Sequence, residues 1–93
     1  MTTINKGENK FYVGEDEQNP LGEITFKQSG DNVLTVDHTY VSDELRGQGV
    51  AGKLVEKVVN YAREEGKQIN PTCPYAEKKI KNTPEYQGVL VEH

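Results

Sequence analysis

The chain has 93 residues, 33% of them apolar and 28% charged, with one cysteine, no tryptophan and a formal net charge of −4. This length provides for a single domain with a small core, and a lone cysteine leaves neither an internal disulfide nor a cysteine-built zinc site within the chain. The acidic balance argues against a nucleic-acid partner, which needs a cationic surface. No run is apolar enough for a signal peptide or a bilayer span, so the cytoplasm is the expected location.

Residues 1–9 are polar and read as a flexible lead-in to one domain over residues 10–93. Lys10–Val13 (KFYV) is a short strand that ends at Gly14 and the turn EDEQNP. The adjacent carboxylates Glu15, Asp16 and Glu17 read as a solvated turn, and no metal site is expected. Leu21–Lys27 alternates with period two, placing Ile24 and Phe26 on one face, and QSGDN turns the chain back into Val33–Val41. In that strand the same period puts Leu34, Val36, His38 and Tyr40 on one face and Thr35, Asp37 and Thr39 on the other.

From position 50 the periodicity changes. Apolar residues at 51, 54, 55, 58, 59 and 62 form one face of a helix that Gly66 stops. Gln68–Thr72 returns as a strand parallel to Val33–Val41 by a right-handed crossover. Pro71 and Pro74 bracket Cys73 and end the ladder there. YAEKKIKN is a short helix, TPEY a turn and GVLV a final strand or packed tail.

The loop between strand and helix carries Gly47, Gly49 and Gly52. Glycines there let the backbone take positive φ and approach a ligand, and the helix that follows begins with N–H groups lacking intrahelical partners. Together with the positive end of the helix dipole, they favour an anion.

Three patterns overlap in the loop. Residues 47–52 satisfy G-x-G-x-x-G, but the following strand runs into Asn70, Thr72 and Cys73 without the acidic ribose ligand that a dinucleotide fold requires. Residues 47–53 satisfy G-x-x-x-x-G-K, but Leu54 stands where a P-loop needs its magnesium-binding hydroxyl. Arg46-Gly47-Gln48-Gly49-Val50-Ala51 resembles the (Q/R)-x-x-G-x-(G/A) pyrophosphate loop of the GNAT superfamily, the acetyl-CoA-dependent N-acetyltransferases. The wider run DHTYVSDELRGQGVAGKLVEKVVNYAREEG, followed by INPTCPYAEK, resembles the very short GNAT-like family over roughly residues 10 to 90.

The resemblance implies an α/β fold: a minimal acyl-CoA N-acyltransferase core with a mixed, mostly antiparallel sheet, one long crossover helix and a short C-terminal helix. It further implies that acetyl-CoA is the donor, with the pyrophosphate on Arg46, Gly47, Gln48, Gly49, Val50, Ala51 and Gly52 and the pantetheine arm on the backbone of Val41. Cys73 and His38 carry over to an active site, where parallel neighbouring strands would let them meet, and two mechanisms stay open: direct transfer with His38 as base and Cys73 or Tyr75 as acid, or transfer in which Cys73 takes the acetyl group first and passes it on. The acceptor implied is an amine on an unidentified small molecule or protein, and the chain is expected to be a monomer. A typical GNAT domain also has two N-terminal helices on its acceptor side, where this sequence has strand signals. A non-catalytic acyl-CoA-binding or protein-interaction module is the alternative reading.

Overall fold

The computed structural model of the protein describes residues 4–90. Its five strands lie side by side in chain order: β1 (Ile4–Gly7), β2 (Lys10–Val13), β3 (Gly22–Gly30), β4 (Val33–Val41) and β5 (Gln68–Pro71). The first four are antiparallel, and β5 joins parallel to β4 after helix α1 (Val50–Glu65) has crossed over. A second helix, α2 (Pro74–Lys81), and a 3-10 turn over Pro84–Val89 complete the chain.

One face of α1 buries Val50, Leu54, Val55, Val58, Val59 and Ala62 against Phe11, Ile24, Phe26, Leu34, Val36 and Ile69 of the sheet. Each fully buried aliphatic side chain contributes roughly 1.5–3 kcal/mol. Packing therefore holds a helix whose three interior valines lower its intrinsic propensity. Gly49 and Gly66 bound α1 with φ of 73° and 68°, a conformation open to glycine at little cost.

The structure differs from the sequence reading in three places. The lead-in expected to be flexible to residue 9 supplies β1 over Ile4–Gly7, an edge strand that pairs with β2 across a turn at Asn9 (φ 60°). Ile4, opposite Val13, packs against the core, and Lys6 lays its ammonium 5.1 Å from the centre of the Tyr61 ring. Residues 1–3 of the lead-in lie outside the described residues. At the other end, GVLV provides one parallel bridge, Leu90 to Ile69, after the 3-10 turn, and Val91 is outside the described residues.

The third difference governs the site. The register of β3 with β4 skips from Thr25–His38 to Phe26–Val36, so Asp37 is an extra residue, a β-bulge. Thr25 Oγ1 donates to Asp37 Oδ1 at 2.6 Å and ties the bulge down. Beyond it the alternation changes phase. Thr39 stands opposite the fully buried Ile24, while His38 stands opposite Thr25 on the exposed face. His38 and Tyr40 therefore do not share the core face of Leu34 and Val36; Thr39 does.

Candidate active site

β4 and β5 pair only from Val33–Gln68 to Val36–Pro71. Past that point β5 leaves the sheet, with the N–H groups of Thr72 and Cys73 both donating to the Val36 carbonyl (2.9 and 3.1 Å). β4 continues to Val41 without this neighbour, and a split opens between the strands. The Ser42 N–H donates to the Leu21 carbonyl on the β3 side. By the alternation of an antiparallel ladder, the backbone groups of Val41 and Thr39 then point to the open side of the split.

At the mouth of the split, a 3-10 turn (Asp43–Leu45) leads into the glycine loop. Gly47 and Gly49 have φ of 85° and 73°, and a Cβ added at either would meet nothing within 4 Å, so these two glycines serve backbone conformation and not protein packing. Gly49 is the N-cap of α1 and no side chain caps the helix, nor is there an acidic residue in its first turn. The first N–H groups of α1 thus meet a cavity of about 200 Å³ lined by Val41, Leu45, Arg46, the loop backbone and Tyr75. Such a cradle suits a pyrophosphate. Arg46 is held by Asp43 at 3.2 Å, with both side chains mostly exposed. An ion pair of that kind is weak enough to yield to a phosphate. The Gln48 amide donates to the Glu44 carbonyl (3.2 Å) and ties the loop to the preceding turn.

Cys73 is the N-cap of α2, and its thiol donates to Thr39 Oγ1 over 3.5 Å. Burial pushes the thiol pKa up, but Thr39 Oγ1 and the N–H groups of Ala76, Tyr75 and Thr39 outweigh it and leave the pKa below the ordinary thiol value. A thiolate at a helix N-terminus is a better nucleophile than a free thiol at neutral pH.

The site residues expected from sequence are only partly brought together. Val41, Arg46, Gly47 and Gly49–Gly52 share one cavity, and Cys73 stands where β4 and β5 part. Tyr75 also lines the cavity, and its hydroxyl would lie 3.8 Å from a Cβ on Gly52, so its ring belongs to the wall beside the loop. His38 does not take the place beside Cys73; Thr39 does, because of the bulge. Sequence reading missed Thr39, whose only signal is that the period-two apolar pattern lapses at Asp37-His38. Among the described residues, no group of three or more His, Cys, Asp or Glu is arranged to hold a metal, and no helix is long and apolar enough to cross a membrane.

A sequence model described as GCN5-related N-acetyl-transferase matches residues 10–89. The chain belongs to this family. Among solved structures, a GCN5-like protein from Staphylococcus aureus is 46% identical to this GNAT chain, with a TM-score of 0.81 over 98% of it and 91% of the other. GCN5 from Tetrahymena, at 14% identity, shares the fold alone, with a TM-score of 0.62 over 90% of this chain and 61% of that one. Protein NATD1 of Gallus gallus and of Homo sapiens is 30% identical over 61 residues, or 66% of this chain. The match spans little more than half the length of these relatives, 56% and 54% respectively. The family's donor is an acyl-CoA, and this chain has an open strand edge on β4 beyond Val36 and a helix α1 whose N-terminus no side chain caps.

Proposed function

We propose that the protein is an acetyltransferase that takes the acetyl group of acetyl-CoA onto Cys73 and passes it to an amine. The observation that carries this reading is the position of Cys73: an N-cap thiol of lowered pKa beside Thr39, at the point where β4 and β5 part and two residues before Tyr75, which lines the cradle. The N–H groups of Gly47 and Gly49–Gly52 hold the pyrophosphate, those of Arg46 and Gln48 being donated to the Asp43 and Leu45 carbonyls (both 3.3 Å), and Val41 bonds the pantetheine arm through its backbone. The Cys73 thiolate attacks the thioester carbonyl, the carbon–sulfur bond to CoA breaks, and CoA leaves as a thiolate. Thr39 Oγ1 and the N–H groups at the start of α2 stabilise the Cys73 sulfur before attack and again when it is released.

The acceptor amine then attacks acetyl-Cys73, loses a proton to a base, and returns the cysteine to its thiolate form. His38, the base expected from the sequence, lies on the exposed face of β4 and not beside Cys73, so the proton passes to solvent in this reading. Tyr75, in the cavity wall, fits the role of acid toward the departing CoA. No N-terminal helices cover that face among the described residues, so the acceptor meets the polar face of the sheet directly.

Intact-protein mass spectrometry after mixing with acetyl-CoA tests the reading. One acetyl group that is labile to added thiol, present in the wild type and missing in Cys73→Ala, is the expected result. Absence of the adduct, with CoA still raising the melting temperature, refutes the covalent route and leaves direct transfer or the non-catalytic acyl-CoA-binding module.

A further inference from the structure

Helices α1 and α2 and the 3-10 turn bury Leu54, Ala76, Ile80 and Val89 in one core with Phe11, Ile24, Phe26 and Leu34, on a single face of the sheet. The opposite face carries no helix among the described residues. Three side chains form a row across it: Tyr12 of β2 stands opposite Glu23 of β3, and Glu23 stands opposite Tyr40 of β4. Paired residues share a face with their Cβ atoms ~4.5–5.5 Å apart, so the Glu23 carboxylate is flanked by two phenol rings.

The row lies at the reacting end of the sheet. Tyr40 stands between Val41, whose backbone faces the split, and Thr39, which accepts from the Cys73 thiol. Leu21 donates its N–H to the Val13 carbonyl and accepts from the Ser42 N–H (both 2.8 Å), so it continues the alternation of β3 onto the face of Glu23. Leu21 and Tyr40, 39% and 43% exposed, are two of the three exposed large apolar side chains among the described residues, and the third, Tyr75, lines the cradle. Glu23 is only loosely satisfied. Its side chain is 20% exposed and its ion pair to Lys10 spans 3.9 Å, while the Lys10 ammonium also donates to the Glu17 carbonyl at 3.2 Å. A shielded carboxylate between aromatic rings, beside exposed apolar surface, has the chemistry to receive an organic cation: the rings attract an ammonium, and its hydrocarbon part covers Leu21.

We infer that Tyr12, Glu23 and Tyr40 select the acceptor, and that the acceptor is a small diamine or polyamine, one amine of which is acetylated while another, as ammonium, rests on Glu23. This rests on the acetyl-transfer reading above. The second charge follows from the chemistry. An amine attacks only as the free base, so a carboxylate that held the reacting nitrogen as ammonium would oppose the reaction. An ammonium elsewhere on the same chain stays charged throughout and is free to be bound. The net charge of −4 favours the approach of such a cation. Lys10, Thr25 and His38 form the next row and bound the site on the side away from Leu21.

The test compares cadaverine with pentylamine, which has the same five-carbon chain and one amine fewer. Each is titrated into the wild type, Glu23→Gln and Tyr40→Leu, all first checked for an unchanged melting temperature, and followed by backbone amide NMR shifts. Acetylation of each amine by acetyl-CoA is then timed. The wild type is expected to bind cadaverine about five-fold more tightly, with shifts at Tyr12, Glu23 and Tyr40, and to acetylate it faster. Glu23→Gln should lose the preference while keeping its affinity for pentylamine, Tyr40→Leu should lose part of it, and added salt should shrink it. Equal binding of the two amines by the wild type overturns the inference, as does a Glu23→Gln variant that keeps the preference. Acetylation of pentylamine as fast as cadaverine overturns it while the transferase reading stands. If cadaverine binds at the row and neither amine is acetylated, the transferase reading fails and the row stands as a diamine site.

Discussion

Gly52 sits in the first turn of α1 with an ordinary helical conformation, and in the protein alone a side chain there is tolerated. A Cβ would meet Lys79 Cε at 3.5 Å, Lys79 Nζ at 3.7 Å and the Tyr75 hydroxyl at 3.8 Å, all ordinary van der Waals separations. Gly52→Ala should therefore stabilise the protein by about 0.5–1 kcal/mol, the usual gain for alanine over glycine within a helix. For a chain of this size that corresponds to a rise of roughly 2–8 °C in melting temperature. The same methyl group projects into the cavity of about 200 Å³ that faces the first N–H groups of α1, so CoA affinity should fall. A loss of about ten-fold, or about 1.4 kcal/mol, is expected if one N–H is held away from the phosphate. Gly49→Ala supplies the contrast: with φ at 73° and nothing within 4 Å of the new Cβ, its cost is conformational alone, about 1–2 kcal/mol, and the melting temperature should fall. Thermal denaturation with and without CoA, followed by calorimetry, reads both quantities on one sample. A lower melting temperature for Gly52→Ala would refute the packing argument, and a higher one with unchanged CoA affinity would refute the assignment of the cavity to the cofactor.

Thr39→Val should move the pH midpoint of Cys73 alkylation upward, because it removes the hydroxyl that favours the thiolate, whereas His38→Ala should leave the midpoint where it is. A thiol whose pKa is lowered by folding contributes stability above its unfolded pKa and loses it as pH falls through the folded one. The pH dependence of wild-type stability should thus show a Cys73-dependent loss across that window, missing in Cys73→Ala. Leu54→Ala, at a fully buried position of α1, should cost about 2–5 kcal/mol in urea denaturation, and less than 1 kcal/mol would mean that α1 is not packed on the sheet as described.

Much of the architecture was legible because single residues forced it. The apolar positions at 54, 55, 58, 59 and 62 admit only a helix lying on an apolar surface, and Gly49 and Gly66 mark its ends by a conformation that other residues avoid. Pro71, with no N–H to give, is the last residue of β5, one short of the Thr72 expected from the sequence. β1 was not legible. Asn5 and Lys6 carry no apolar alternation, and the strand exists because its backbone pairs with β2 while Ile4 and the stem of Lys6 find the edge of the core. An edge strand that is polar on purpose blunts edge-to-edge association, and in sequence it looks like a tail.

The site was half legible for a related reason. A glycine loop announces itself, since the backbone conformation it serves is encoded in the loop's own residues. The contact between Thr39 and Cys73 depends instead on Asp37, which is surplus to the ladder and reverses the faces of everything after it. Counting by twos from Leu34 assigns His38 to the core, where an imidazole would need a buried partner, and leaves Thr39 outside. The bulge resolves this in favour of the residue that costs less to bury: a threonine hydroxyl finds Cys73, and the histidine stays on the exposed face. Its location is also informative, because it falls immediately beyond Val36, the last residue of β4 that pairs with β5. A bulge bends its strand and sharpens its twist. Placed there, it bends β4 at the point where the parallel ladder with β5 ends, so the same extra residue that brings Thr39 to the cysteine lies at the opening of the split proposed to admit the thioester.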